Sequence, residues 1–153
     1  MIRLHTRIPP PVVTLAVAGI MWLVAFATPG LVVSFAGQGR LAAAIAIAGV
    51  ALMAFSIFKF TRARTTVNPL KPTTATALVT SGVFALTRNP IYLADLIFLI
   101  ALATWLGSIC AFALAPVLVW YLNVFQIAPE EEALASLFGE EYRSYCARVR
   151  RWI

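Results

Sequence analysis

Two short runs carry the polar chemistry of this chain. One is Arg88-Asn89-Pro90-Ile91-Tyr92, and about forty residues later comes Glu131-Glu132, followed by a Phe138-Gly139-x-x-Tyr142 cluster. Together they offer a guanidinium, an amide, a phenol and two carboxylates, groups that can grip a charged or zwitterionic ligand. Asp95 lies a turn and a half beyond Pro90 inside an apolar run, where a carboxylate is costly unless it faces a wet cavity or a cation. Each residue also has a plainer use. Arg88 and Tyr92 can anchor a helix at a membrane surface, and a glutamate after an apolar run can complement the positive end of a helix dipole. Asn123, near the same face, either links helices or faces a ligand. No Ser-His-Asp set, phosphate-binding loop or G-x-G-x-x-G run accompanies them.

The elements that must hold these groups follow from composition. Of the 153 residues 61% are hydrophobic and 12% charged, with a mean hydropathy of +0.89, far too apolar for an ordinary soluble domain. Only helices and closed barrels satisfy their backbone in lipid, and the apolar runs here are continuous rather than alternating. The expected fold is all-α, a single polytopic membrane helical bundle with about four transmembrane helices and C-terminal interfacial helices. The expected spans are 12–27, 41–60, 91–106 and 109–127, with a loop at 61–90 and a helical tail at 129–153. Gly107-Ser108 allows only a tight turn, so the last two spans should form an antiparallel hairpin. That hairpin brings the Arg88 end and the Glu132 end to one membrane face.

Eleven of the 12 lysines and arginines fall on that face, leaving Arg40 alone opposite. The positive-inside rule makes the face cytoplasmic, with both termini there, in a bilayer such as a bacterial inner membrane. Ala25-Phe26-Ala27 resembles a signal-peptide cleavage site. An uncleaved first span is preferred, because its removal leaves an odd helix count that spoils the charge pattern. The net charge of +6 is spread between spans rather than gathered on a soluble face, which argues against a nucleic-acid partner. Cys110 and Cys146 are expected at opposite faces, and His5 is the sole histidine. No metal site is expected.

The 61–90 loop is punctuated by Asn68-Pro69 and Lys71-Pro72. Ser81-Gly82 reads as a turn needing glycine's backbone freedom, and the loop's length suggests a functional role. In the tail, Pro129 suits a helix start and Gly139 a stop. Tyr142, Tyr145, Val149 and Trp152 then recur at helical spacing, an amphipathic helix with its aromatic side toward lipid or the bundle.

The arrangement resembles the membrane methyltransferases of the isoprenylcysteine carboxyl methyltransferase and phospholipid methyltransferase group. The likeness rests on Ser81-Gly82, Arg88 to Leu93, Glu131-Glu132, Phe138 to Tyr142, Tyr145 and Val149-Arg150-Arg151, and runs from Thr65 to the C-terminus. It implies S-adenosylmethionine held between the last two spans and the tail, with a lipid or lipid-modified acceptor arriving sideways from the bilayer. By likeness, Asn89, Pro90, Tyr92, Leu93, Glu131, Tyr142 and Tyr145 bind the cofactor. Arg88, Glu132 and Asp95 are the expected catalytic residues, with Arg148 and Asn123 toward the acceptor. The carboxyl methyltransferases carry histidine where this chain has Asn89; an amide does not titrate in the useful range, so no proton transfer is expected there.

A carboxylate acceptor of the isoprenylcysteine kind arrives ionised and wants an arginine, Arg88 or Arg148, to orient it. A phospholipid amine must first lose a proton, with Asp95, Glu131 or Glu132 as candidate base. A small membrane scaffold or transporter is the alternative of another class, although no paired broken helices or internal repeat is visible.

Overall fold

The computed structural model describes residues 8–64 and 75–153. The basic residues Arg3, Arg7 and Lys71, His5 and the two proline dipeptides of the 61–90 loop lie outside the described residues. Helix α1 (Pro10–Ala27) opens on prolines, whose fixed φ and missing N–H suit a first helical turn. It buries Thr14, Val17, Met21 and Ala25, one stripe at helical spacing, while Leu15, Trp22, Leu23 and Phe26 point outward. An outer face that apolar suits lipid rather than water.

Helix α2 (Gln38–Arg62) buries Ala42, Gly49 and Ser56, one small residue every two turns. Small residues let membrane helices approach closely. A Cβ at Gly49 would stand 2.9 Å from the Phe98 ring on helix α3 (Pro90–Leu106). α3 is the central post, with Tyr92, Ala94, Asp95, Leu99, Ala101, Ala103 and Thr104 buried. Its 17 residues reach about 25 Å at 1.5 Å per residue. The ends of α1, α2 and α3 fall within three residues of the apolar segments read from sequence.

Gly107 closes α3 at φ +64, and a Cβ there would lie 2.3 Å from the Val33 carbonyl oxygen. Only glycine fits both the conformation and the space. The Val33 N–H donates to the Gly107 carbonyl at 2.8 Å. The Gln38 amide donates to the Thr104 and Trp105 carbonyls, each at 2.9 Å. That end of the bundle is thereby tied off. Ser108 then caps the short helix α4 (Ile109–Phe112) by accepting from the Ala111 N–H at 3.2 Å.

The chain continues as α5 (Ala115–Tyr121), a π-helical segment Leu122–Ile127, and α6 (Ala128–Arg148). The sequence reading starts a fresh tail helix at Pro129; instead the helix runs straight through it. A proline inside a helix removes an N–H and crowds the carbonyl four residues back, and the wide π turn just before it makes room. At Gly139 the backbone leaves the helical conformation (φ 51, ψ −119), so one helical stretch ends there as expected and a second begins across a kink. Three helical stretches, Pro10–Ala27, Gln38–Arg62 and the kinked Ile109–Arg148, are long and apolar enough to cross a membrane, with the shorter α3 between them. The main core joins α1, α3, α4, α5 and the π segment around Met21, Leu99, Leu118 and Ile127. A second cluster gathers Tyr142, Tyr145 and Val149 with Leu78, Leu134 and Phe138. The tail's aromatic face therefore turns toward the bundle.

Candidate active site

Asn89 sits just before Pro90 at the start of α3, and the segment around it is pinned by the C-terminal residues. The Arg88 N–H donates to the Arg150 carbonyl at 3.0 Å. The Thr87 hydroxyl and the Asn89 amide donate to the Arg151 carbonyl at 3.2 and 2.9 Å. Asn89 thus spends its amide on a clamp. With its backbone fixed, the Arg88 guanidinium turns to Glu131 on α6, Nη2 to Oε1 at 3.2 Å, and Nη1 donates to the Cys146 sulfur.

Glu131 is shared. The Arg151 Nε donates to its Oε1 at 3.1 Å and the Arg151 Nη2 to its Oε2, the two-pronged geometry that makes arginine–carboxylate pairs strong. This hydrogen bond raises the Arg151 pKa above its already high ordinary value. Asn123 accepts from the Trp152 indole N–H at 3.1 Å and from Arg151 at 3.4 Å, so its carbonyl is occupied in holding the tail. One turn into α3, the Tyr92 hydroxyl donates to Glu130 at 2.5 Å. Gln126 donates to the same oxygen at 2.8 Å. The Tyr145 hydroxyl donates to the Phe84 carbonyl at 2.7 Å, which tethers α6 to the Gly82–Ala85 turn. Gly82 itself adopts φ +69.

These groups surround a cavity of about 480 Å³, within the roughly 300–1,000 Å³ usual for small-molecule sites. Its apolar walls come from Pro9 to Pro11, from Met53, Ile57 and Phe60 on α2, from Leu78 and Val79 of the loop, and from Phe84 and Leu134. Arg88, Asn89, Tyr92, Asp95, Glu130, Glu131, Tyr142 and Tyr145 supply the polar side. The Arg88 Nε is buried with no hydrogen-bond partner among the described residues. An N–H left so is costly, and a ligand bearing an acceptor would relieve it.

Of the residues singled out from sequence, Arg88, Asn89, Pro90, Tyr92, Asp95, Glu131, Tyr142 and Tyr145 line this cavity. Glu132 and Arg148 are exposed, and neither they nor Leu93 and Asn123 line it. Glu130, Gln126 and Arg151 were missed. Gln126 and Glu130 stand one helical turn apart, so reading the helix through Pro129 puts them on one face. The run Arg148, Arg150, Arg151 offers three candidates, and spacing does not choose among them.

Fold and site define a helical membrane protein with a polar-lidded apolar chamber at one end of its bundle. Residues 38–141 match the phospholipid methyltransferase family, and the chain belongs to it; it is a membrane methyltransferase in class. An uncharacterised Haemophilus influenzae protein is 45% identical over 62 residues, 40% of this chain and 98% of that protein. The protein-S-isoprenylcysteine O-methyltransferase of Schizosaccharomyces pombe is 32% identical over 72 residues, 47% of this chain. That match spans 30% of the yeast enzyme's length.

Proposed function

We propose that this protein is an S-adenosylmethionine-dependent methyltransferase acting on a lipophilic acceptor at the cytoplasmic face of a membrane such as the bacterial inner membrane. The observation that carries the reading is the buried, unpartnered Arg88 Nε beside the Arg88–Glu131–Arg151 set at the polar end of an apolar cavity. The residues fit the cofactor. Its amino-acid end carries a carboxylate and an ammonium, for which Arg88 and the Glu130–Glu131 pair are complementary. Phe60, Phe84, Leu78, Leu134 and the Tyr142 and Tyr145 rings offer apolar surface to an aromatic base. When bound, S-adenosylmethionine supplies an electrophilic methyl group. The chain's own part is positioning and exclusion of water: the C-terminal clamp fixes Arg88, and Tyr92 with Gln126 fixes Glu130. An acceptor of the class named in the yeast relative, a lipid-modified carboxylate, and a phospholipid amine both suit the apolar walls.

The test is calorimetry with S-adenosylhomocysteine on the purified protein, paired with transfer of a tritiated methyl group to extracted lipids. Hydrogen bonds to charged groups are worth about 1.5–3 kcal/mol. Arg88→Ala and Glu131→Ala should therefore each weaken cofactor binding roughly ten- to a hundredfold, with the protein still inserted and monodisperse. Absence of binding and of labelled lipid in the unaltered protein would remove the reading.

A further inference from the structure

The three nitrogens of the Arg88 guanidinium meet three different surroundings. Nη1 donates to the Cys146 sulfur, Nη2 reaches the Glu131 Oε1 at 3.2 Å, and Nε is buried with no partner among the described residues. A carboxylate that pairs with an arginine frequently engages two nitrogens at once. Glu131 engages only one on Arg88, because Arg151 holds it from the other side. The Arg151 Nε donates to Oε1 at 3.1 Å and its Nη2 to Oε2. Both oxygens are thereby bonded to Arg151, and the edge of Arg88 formed by Nε and Nη2 stays half filled.

The charges point the same way. Arg88, Glu130 and Glu131 line the cavity, whereas Arg151 does not; it stands behind Glu131 as a second cation. With Arg151 in place, two arginines balance Glu130 and Glu131. Without it, Arg88 alone would face both, and the excess negative charge would repel an incoming carboxylate. Arg148 and Arg150 are exposed, and the ion pairs of Glu131 among the described residues are with Arg88 and Arg151.

Resting on the methyltransferase reading above, we infer that Arg151 is a positioning residue. By holding both Glu131 oxygens it prevents that carboxylate from closing side-on over Arg88, and so keeps the Arg88 Nε open for the carboxylate at the cofactor's amino-acid end. The Arg151 backbone has a separate task. Its carbonyl accepts from Thr87 and Asn89, bonds that a side-chain substitution leaves in place. Anchoring of the tail and exposure of the donor are therefore separable by experiment.

The probes are S-adenosylhomocysteine and methylthioadenosine, which shares the nucleoside and thioether but lacks the amino-acid end. Affinities are measured by calorimetry on the full chain in detergent. Arg151→Met keeps an apolar stem and removes the guanidinium. It should weaken S-adenosylhomocysteine binding roughly tenfold or more, because a hydrogen bond to a charged group is lost. Methylthioadenosine affinity should stay within about twofold. In the Arg151→Met background, Arg88→Ala should weaken S-adenosylhomocysteine binding by less than about threefold further, since Glu131 already covers Arg88. Equal losses for the two ligands in Arg151→Met would make the side chain a staple for the tail and overturn the inference. Unchanged S-adenosylhomocysteine affinity, or fully additive losses in the double variant, would overturn it too. If methylthioadenosine binds too weakly to measure, the double variant decides. If Arg151→Met does not fold, Arg151→Lys, a point charge without the planar fork, carries the same comparisons. Any of the contrary results with S-adenosylhomocysteine still bound by the unaltered protein sinks this inference alone. No binding by the unaltered protein sinks the reading beneath it.

Discussion

Glu130, Glu131 and Glu132 are chemically identical neighbours given three different tasks by helical geometry. Glu131 is held between Arg88 and Arg151, Glu130 receives the Tyr92 hydroxyl, and Glu132 is exposed. Glu132→Ala and Arg148→Ala should therefore leave cofactor affinity within about twofold of the unaltered protein, the usual outcome for surface changes away from special contacts. Tyr92→Phe keeps the ring and removes only the hydroxyl. It should weaken cofactor binding roughly tenfold, as one hydrogen bond to a charged group is lost; calorimetry checks all three. Arg88, Tyr92 and Asp95 were legible in the sequence because Pro90 fixes where their helix begins. Which glutamate faces inward was not, because that depends on the rotation of α6, and the proline at its start reads equally well as a new helix.

The segment after α6 acts as a strap. Its backbone carbonyls at Arg150 and Arg151 hold the 87–89 turn, and Trp152 reaches Asn123 in the π segment. Spacing put Tyr142, Tyr145, Val149 and Trp152 on one helical face, but the helix ends at Arg148 with Val149 extended, and Trp152 packs against the main core instead. Nor does an amphipathic pattern say whether lipid or protein covers the tyrosines. The partners, Leu78 and Phe84, lie more than fifty residues away in a loop with no periodicity of its own. Because Trp152 and Asn123 share one hydrogen bond, their substitutions should not add. A double-mutant cycle of Trp152→Phe and Asn123→Ala, read by thermal unfolding in detergent, should show a coupling of about 0.5–1.5 kcal/mol. Additive losses would mean that the tail is held elsewhere.

The bundle places the start of α3 and the start of α6 at the same end, as the Arg88–Glu131 contact at 3.2 Å requires. The sequence foresaw this convergence from two apolar runs joined by a glycine turn; it did not foresee that helix would run through Pro129 as far as the kink at Gly139. With Cys110 and Cys146 replaced by serine, Arg62→Cys and Glu132→Cys should react with an impermeant maleimide from one side of the membrane, and Gly30→Cys from the other. Labelling of the first two from opposite sides would separate the halves of the chamber. The π turn at Leu122–Ile127 adds one further consequence. A π turn takes up one residue more than an α turn, so deleting a single residue there would let the segment close to an ordinary α turn, keeping the acidic face toward α3 but withdrawing the room taken by the Pro129 ring. The one extra residue in those six positions, more than their identity, is what lets helix pass through Pro129 to the acidic run.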